Sequence, residues 1–223
     1  MSQPKLQITS GRKEYIDRSV QLLTSAFDKD PIFRWLLHNL PPSEYQSVLS
    51  KIFRAFLTQG SLNNGVFFEV GDFGCCSLLM PPGGRMENSS TMLRAGLIPY
   101  LFTIGPGPLK RALFEYTSEP MLKKAFTKEE QKMHWYVFIM GTATDRRRQG
   151  LAGALLVHMQ DQVRNDGRPL WLEATTKYSR DFYSKHGFET VGEPVLGKGY
   201  VGPDGLTEKN GEGVTIWPMF WRP

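Results

Sequence analysis

The sequence predicts an α+β fold, and three observations carry that prediction. Short runs dense in β-branched and aromatic residues, GVFFEV, MHWYVFIM and PLWLEAT, have the character of strands. Between them lie segments whose apolar residues recur at three and four, the spacing of one helix face. A chain of 223 residues, 40% hydrophobic and 12% aromatic, can bury a substantial core as one domain or two small ones at most, and it is read as a single domain over 1–223.

KLQIT, from Lys5, reads as a first strand, and Ile16, Val20, Leu23 and Phe27 then mark a helix that Asp30-Pro31 interrupts. PIFRWLL follows as a short helix with proline in its first turn. Ser43-Glu44-Tyr45-Gln46 offers a capping box ahead of Val48, Leu49, Ile52, Phe53 and Phe56, and Gly60 closes that helix. GVFFEV and FGCCSLLM, parted by Gly71-Asp72, form a hairpin ended by Pro81-Pro82. The stretch 83–130, with Pro99, Pro106, Pro108 and Pro120 between helix-like pieces such as GPLKRALFEY, is a helical excursion on one edge. MHWYVFIM reads as a buried strand, PLWLEAT from Pro169 as another, and Tyr178 to His186 as a helix. The strands GFETVGE and GVTIWPMFW close the chain, with a Gly-rich loop between Gly197 and Gly213.

Lysine and arginine number 27 against 22 acids, so the net charge of +5 favours an anionic partner without demanding nucleic acid. Cys75 and Cys76 are adjacent, and neighbours on an extended segment point to opposite faces, which excludes a disulfide framework. Two free thiols and no leader-like start lead to the expectation of a cytoplasmic protein. No segment approaches the roughly 20 apolar residues that span a bilayer, so no membrane partner is expected. Four scattered histidines and no Cys-His cluster argue against a metal.

The most informative segment is DRRRQGLAGALL, residues 145–156. A strand ending at Gly141 and a helix beginning near Gln149 leave a turn whose amides have no helical partner, while the helix dipole adds positive potential. Gly150 lets the backbone approach a phosphate, Ala152 keeps the first turn slim, and the arginines add charge-assisted hydrogen bonds. A solvated basic turn is the bland alternative; the order strand, basic turn, glycine, helix favours an anion seat. Gly197-Lys198-Gly199-Tyr200-Val201-Gly202 matches a dinucleotide fingerprint in letters only, since Pro203-Asp204-Gly205 stands where a helix should begin.

Arg147-Arg148-Gln149-Gly150-Leu151-Ala152 resembles the Q/R-x-x-G-x-G/A signature of the GNAT acetyltransferase superfamily, and LEATTKYSRDFYSKHGF is similar to its second motif. AFDKDPIFRWLL and HWYVFIMGTATDRRRQGLAGALL extend the likeness, in order and spacing, to the puromycin N-acetyltransferase-like branch. The resemblance implies a mixed sheet of about seven strands with helices on both faces and two splayed central parallel strands, and an acetyl-CoA core over 133–190. It implies that pantetheine pairs with Met140, Gly141 and Thr142, and that the diphosphate rests on amides from Arg148 to Gly153, with Arg147, Gln149, Leu151 and Ala152 in the same seat. Thr176 stands where the family often carries asparagine.

Acetyl transfer needs a proton donor for the departing thiolate, and Tyr183 matches the family's usual one. Glu173, ending the second splayed strand, is the first candidate base for the acceptor, and half-burial there would raise its pKa. His134 is a poorer one. Phe27, Phe33 and Trp35, with Tyr100 and Phe102, offer aromatic surface for the acceptor. The expected activity is N-acetylation of a small, partly apolar amine by a monomer or homodimer. O-acylation, protein acetylation and non-catalytic acyl-CoA binding are the alternatives.

Overall fold

Strand β1 (Ile8–Gly11) passes through a 3-10 turn into α1 (Ile16–Ala26), α2 (Pro31–Leu36) and α3 (Pro42–Leu62). The hairpin β2 (Val66–Val70) and β3 (Cys75–Met80) comes next, then α4 (Ser89–Arg94) and α5 (Glu119–Ala125). The central strand β4 (Trp135–Thr142) is followed by α6 (Leu151–Arg164), β5 (Leu170–Ala174) and α7 (Lys177–Lys185). Four strands complete the chain: β6 (Glu189–Thr190), β7 (Val195–Leu196), β8 (Val214–Thr215) and β9 (Trp217–Trp221). The computed structural model describes residues 6–84, 86, 88–97 and 118–223. Tyr100, Phe102, Pro99, Pro106, Pro108 and the GPLKRALFEY piece lie outside them.

Seven strands form one mixed sheet in the order β1-β2-β3-β4-β5-β9-β6, and β7 and β8 make a separate ribbon. Only β4 and β5 run parallel; the other neighbours are antiparallel. On one face, Val20 and Leu23 of α1 and Leu49, Ile52 and Phe53 of α3 pack against Phe67, Leu78 and Ile139. On the other, Leu151, Leu155, Leu156, Met159 and Val163 of α6 and Tyr183 of α7 cover Val137, Leu170, Leu172 and Met219. Cys75 and Cys76 point to opposite faces, as their adjacency requires.

One irregularity shapes the centre of the sheet. Leu78 stands opposite Ile139 and Leu79 opposite Val137, so Phe138 is an extra residue on β4. Phe138 and Ile139 therefore both pack on the α1/α3 side, while Val137 and Met140 pack on the α6 side. Such a bulge bends its strand and increases the local twist. The parallel ladder ends there: it consists of Trp135 with Leu170 and Tyr136 with Trp171, although β4 runs on to Thr142 and β5 to Ala174. An opening separates 137–142 from 172–174.

Several boundaries differ from the sequence expectation. Strand β4 ends at Thr142, not Gly141, and α6 begins at Leu151 because Arg148 and Gly150 are both left-handed (φ 63° and 77°). Helix α3 begins at Pro42 with Pro41 as N-cap, so the Ser43 capping box does not form; proline lacks the N–H that such a cap would satisfy. The helix also runs through Gly60, whose missing side chain makes room for Leu78: a Cβ there would lie 2.4 Å from Leu78 Cδ2. GVTIWPMFW is divided, since Ile216 bonds to the Pro194 carbonyl and separates β8 from β9. Among the described residues, no helix is long and apolar enough to cross a membrane.

Candidate active site

The site is built where β4 and β5 part. Ala143 donates its N–H to the Gly74 carbonyl, toward β3, at 2.9 Å. Antiparallel ladders alternate, so Gly141 also turns to β3, whereas Met140 and Thr142 turn their N–H and C=O groups to the open side. Gly141 meets a packing need: a Cβ there would lie 2.7 Å from Leu23 Cδ2, blocking α1 from its seat on the strand.

Beyond Thr142 the chain makes a 3-10 turn (Thr144–Arg146) and reaches Gly150, the left-handed N-cap of α6, which carries no side-chain cap. The first backbone bond into the helix runs from Ala154 N–H to Gly150 O, at 3.0 Å. Among the described residues, the amides from Arg147 to Gly153 have no acceptor. Bare amides around left-handed residues, at a helix N-terminus, form an electropositive concavity suited to a polyanion. The arginines divide their work. Arg146 Nε holds the Gln149 side-chain oxygen at 3.0 Å, Arg147 reaches the Ala26 carbonyl at 3.3 Å, and Arg148 has no partner among the described residues.

Tyr183 is 7% exposed, in contact with Phe182 and Phe188 (ring centroids 5.2 and 5.6 Å). Burial, with a smaller effect from Cys75, pushes its phenol well above the ordinary tyrosine range, so it keeps its proton. Cys75 stands opposite Thr142, and burial pushes its thiol up to about 11 despite a bond with Thr142. Glu173 lies on the other face of β5, next to Trp171, whose indole N–H donates to its Oε1 at 2.7 Å. The phenol and the carboxylate thus flank the opening from opposite faces of the sheet.

Thr176 is the N-cap of α7: its hydroxyl accepts from Ser179 N–H at 3.1 Å in a capping box, while Ser179 Oγ accepts from Thr176 N–H at 3.2 Å. Phe27 and Phe33 form an aromatic cluster with Phe53, centroids 4.9 to 5.8 Å apart. Trp35 is 2% exposed and fills a core with Leu196, Val201, Val214 and Ile216. His134 Nδ1 contacts the Glu130 carbonyl at 2.9 Å, at the start of β4 and away from the opening. A cavity of about 640 Å³ lies beside Arg147, lined by polar groups of α1 (Thr24, Ser25), the turn that follows it (Asp28, Lys29) and α3 (Gln46).

Asp30, read from the sequence as a helix interruption, is a buried carboxylate next to the opening. It caps α2 through Oδ1, accepting from Ile32 and Phe33 N–H (3.0 and 3.4 Å), and Oδ2 accepts from the Thr175 hydroxyl at 2.5 Å. That bond ties it to the end of β5, beside the opening. Burial raises its pKa, against the lowering effect of Thr175 and the two amides. An Asp before a proline-led helix is a cap signal legible in the sequence. Tyr45, near Asp28 and Asp30, carries a buried hydroxyl without a hydrogen-bond partner among the described residues, and burial pushes it up to about 12.

Residues 116–202 match the family model described as the acetyltransferase (GNAT) domain. An uncharacterised N-acetyltransferase of Schizosaccharomyces pombe is 26% identical over 179 residues, 79% of this chain and 71% of that protein. A solved Corynebacterium glutamicum structure, described as histone acetyltransferase HPA2 and related acetyltransferase, superposes with a TM-score of 0.61 at 19% identity, covering 98% of this chain and 96% of that one. Arylalkylamine N-acetyltransferase 2 of Aedes aegypti gives 0.60 at 16% identity, over 98% and 99%. The fold is that of the GNAT acyltransferases.

Proposed function

We propose that this acyltransferase, which carries a GNAT acetyltransferase domain, moves the acetyl group of acetyl-CoA to the amine of a small, partly apolar molecule. One observation carries the reading: where β4 and β5 part, β4 runs on into a turn whose seven amides from Arg147 to Gly153 are unpartnered among the described residues. The donor has the matching shape and charge, a diphosphate for the amides and an amide-bearing arm for the edge at Met140 and Thr142. Similarity to proteins described as N-acetyltransferases, one of them acting on arylalkylamines, supports an amine acceptor.

The residues divide the chemistry by face. On the α1 and α5 side, Glu173 or Asp30 receives the proton the amine loses as its nitrogen bonds to the acyl carbon. On the α6 and α7 side, Tyr183 gives a proton to the sulfur as the carbon–sulfur bond breaks. A cysteine-like thiol ionises near pH ~8.5, so a phenol held protonated by burial remains a donor at neutral pH. Phe27 and Phe33 supply apolar surface on the acceptor side. The test is free-thiol release from acetyl-CoA with a panel of amines, arylalkylamines and puromycin included. Turnover with at least one small amine is the expected result. Silence across the panel, with no thermal shift from CoA, overturns the proposal.

A further inference from the structure

Resting on the diphosphate seat just proposed, we infer that His186 is an additional ligand of that diphosphate, and that its ring takes up a proton as the anion binds. His186 is the C-cap of α7, and its ring is held in place. Nδ1 lies 2.8 Å from the Phe182 carbonyl oxygen, the ring leans on that of Phe182 with centroids 4.5 Å apart, and the Gln160 side-chain N–H holds the His186 carbonyl at 2.9 Å. A carbonyl only accepts, so Nδ1 is the donor and carries the ring's first proton.

The other ring nitrogen is aimed at the first turn of α6. A Cβ built on Gly153 would lie 3.2 Å from Nε2. Cα–Cβ bonds in a helix tilt toward its N-terminus, so this position lies over the turn that presents the amides of Leu151, Ala152 and Gly153. Gly153 and His186 are therefore a matched pair, the missing side chain of one making space for the ring of the other.

With Nδ1 committed to Phe182, a neutral ring shows the seat a lone pair, which an anion repels. A ring protonated at Nε2 shows it an N–H and a positive charge. The bound diphosphate makes the second form the stable one, and the proton comes from solvent. The charged groups on the surrounding elements are accounted for. On α6, Asp161 and Arg164 pair at 3.3 Å; on α7, Arg180 and Asp181 pair at 2.6 Å, and Lys185 precedes the ring. His158 of α6 packs on Phe68, and on the turn before α6 Asp145 stands with three cations, Arg146, Arg147 and Arg148, so the charge around the seat is net positive and Asp145 is its one carboxylate without an ion pair among the described residues.

The experiment is calorimetric titration of the full chain with dephospho-CoA at pH 6 and pH 8, in buffers of different ionisation enthalpy. This probe keeps the diphosphate but lacks the 3′-phosphate, whose own second ionisation near pH ~6 would interfere. The wild-type protein is expected to bind about tenfold tighter at pH 6 and to show buffer-dependent heat from proton uptake. His186→Asn, whose amide can still donate to the Phe182 carbonyl, is expected to lose that tenfold gain at pH 6 and to match the wild type at pH 8. Binding by the wild type that ignores pH and buffer, or a variant that weakens binding equally at both pH values, overturns the role of His186 and leaves the seat standing. Absence of any binding by the wild type overturns the seat itself.

Discussion

Replacing Gly150 by alanine separates a backbone effect from a ligand effect, because a second glycine serves as its control. Gly150 has φ 77° and Gly167 has φ 70°, and a Cβ at either would meet nothing within 4 Å. Left-handed backbone costs an L-residue about 1–2 kcal/mol, with no clash to add at either site. Both variants should therefore lose about 1 kcal/mol of stability, which lowers Tm by about 2–4 °C in a chain of this size. They differ in position. Gly150 caps the start of the 14-residue helix α6 and Gly167 lies beyond its other end, about 20 Å away. A methyl group at 150 stands where the diphosphate must approach, and displacing one charge-assisted hydrogen bond costs about 1.5–3 kcal/mol. Gly150→Ala should weaken CoA binding by about 10- to 100-fold, and Gly167→Ala by less than about twofold. Calorimetry with CoA, alongside thermal melts without it, measures both effects. Equal CoA affinity in the two variants would refute the reasoning.

Tyr183→Phe should lower kcat by about 100-fold, the usual scale of one proton transfer, while CoA affinity stays within about twofold; unchanged turnover removes the phenol from the chemistry. A base must be deprotonated to act, so activity falls as pH drops through its pKa, and whichever of Glu173→Gln and Asp30→Asn abolishes the acidic limb of the pH–rate profile identifies it. If Asp30 is that base, the limb lies above the ordinary carboxylate range, because burial raises its pKa. Glu130 is held near 2, down from 4.5, chiefly by its bond with Arg222, which also donates to the Ala125 carbonyl at 3.1 Å. A depressed carboxylate stabilises the fold above its unfolded pKa and loses that contribution as pH falls through the folded one. Arg222→Ala should therefore flatten the stability profile between about pH 4.5 and 2, by no more than about 1 kcal/mol because the pair is partly exposed to solvent. An acid limb as steep as that of the wild type, followed by denaturant unfolding against pH, would contradict the assignment.

Local signals in the chain made the basic turn and glycine cap of the candidate site legible but not its surroundings. Arg147 to Ala152 carry their meaning in consecutive residues, and the basic turn, the glycine cap and the amphipathic stripe of Leu151, Leu155, Leu156 and Met159 can be read without knowing what packs against them. The α+β class followed from the strand-like and helix-like runs, whereas the mixed sheet with a central parallel pair was an implication of the family resemblance. The bulge at Phe138 was not legible: every residue of VFIM is apolar, so no polar alternation betrays the break. Gly60 and Ser43 misled because tertiary contact with Leu78 and the proline pair overrode local termination and capping preferences. Trp35, an aromatic next to a functional turn, is occupied by the Leu196 and Val214 core, whose residues come from 160 or more positions downstream. Asp30 needed the fold for the same reason, since its partner Thr175 is 145 residues away.

The central claim is that a diphosphate lies on the amides before and within the first turn of α6. A crystal structure of the protein with CoA measures this directly. The account predicts phosphate oxygens within hydrogen-bond distance of the amides from Arg148 to Gly153, and the pantetheine arm against the edge of β4 at Met140 and Thr142. A diphosphate bound elsewhere on the protein, with those amides left to water, would contradict it.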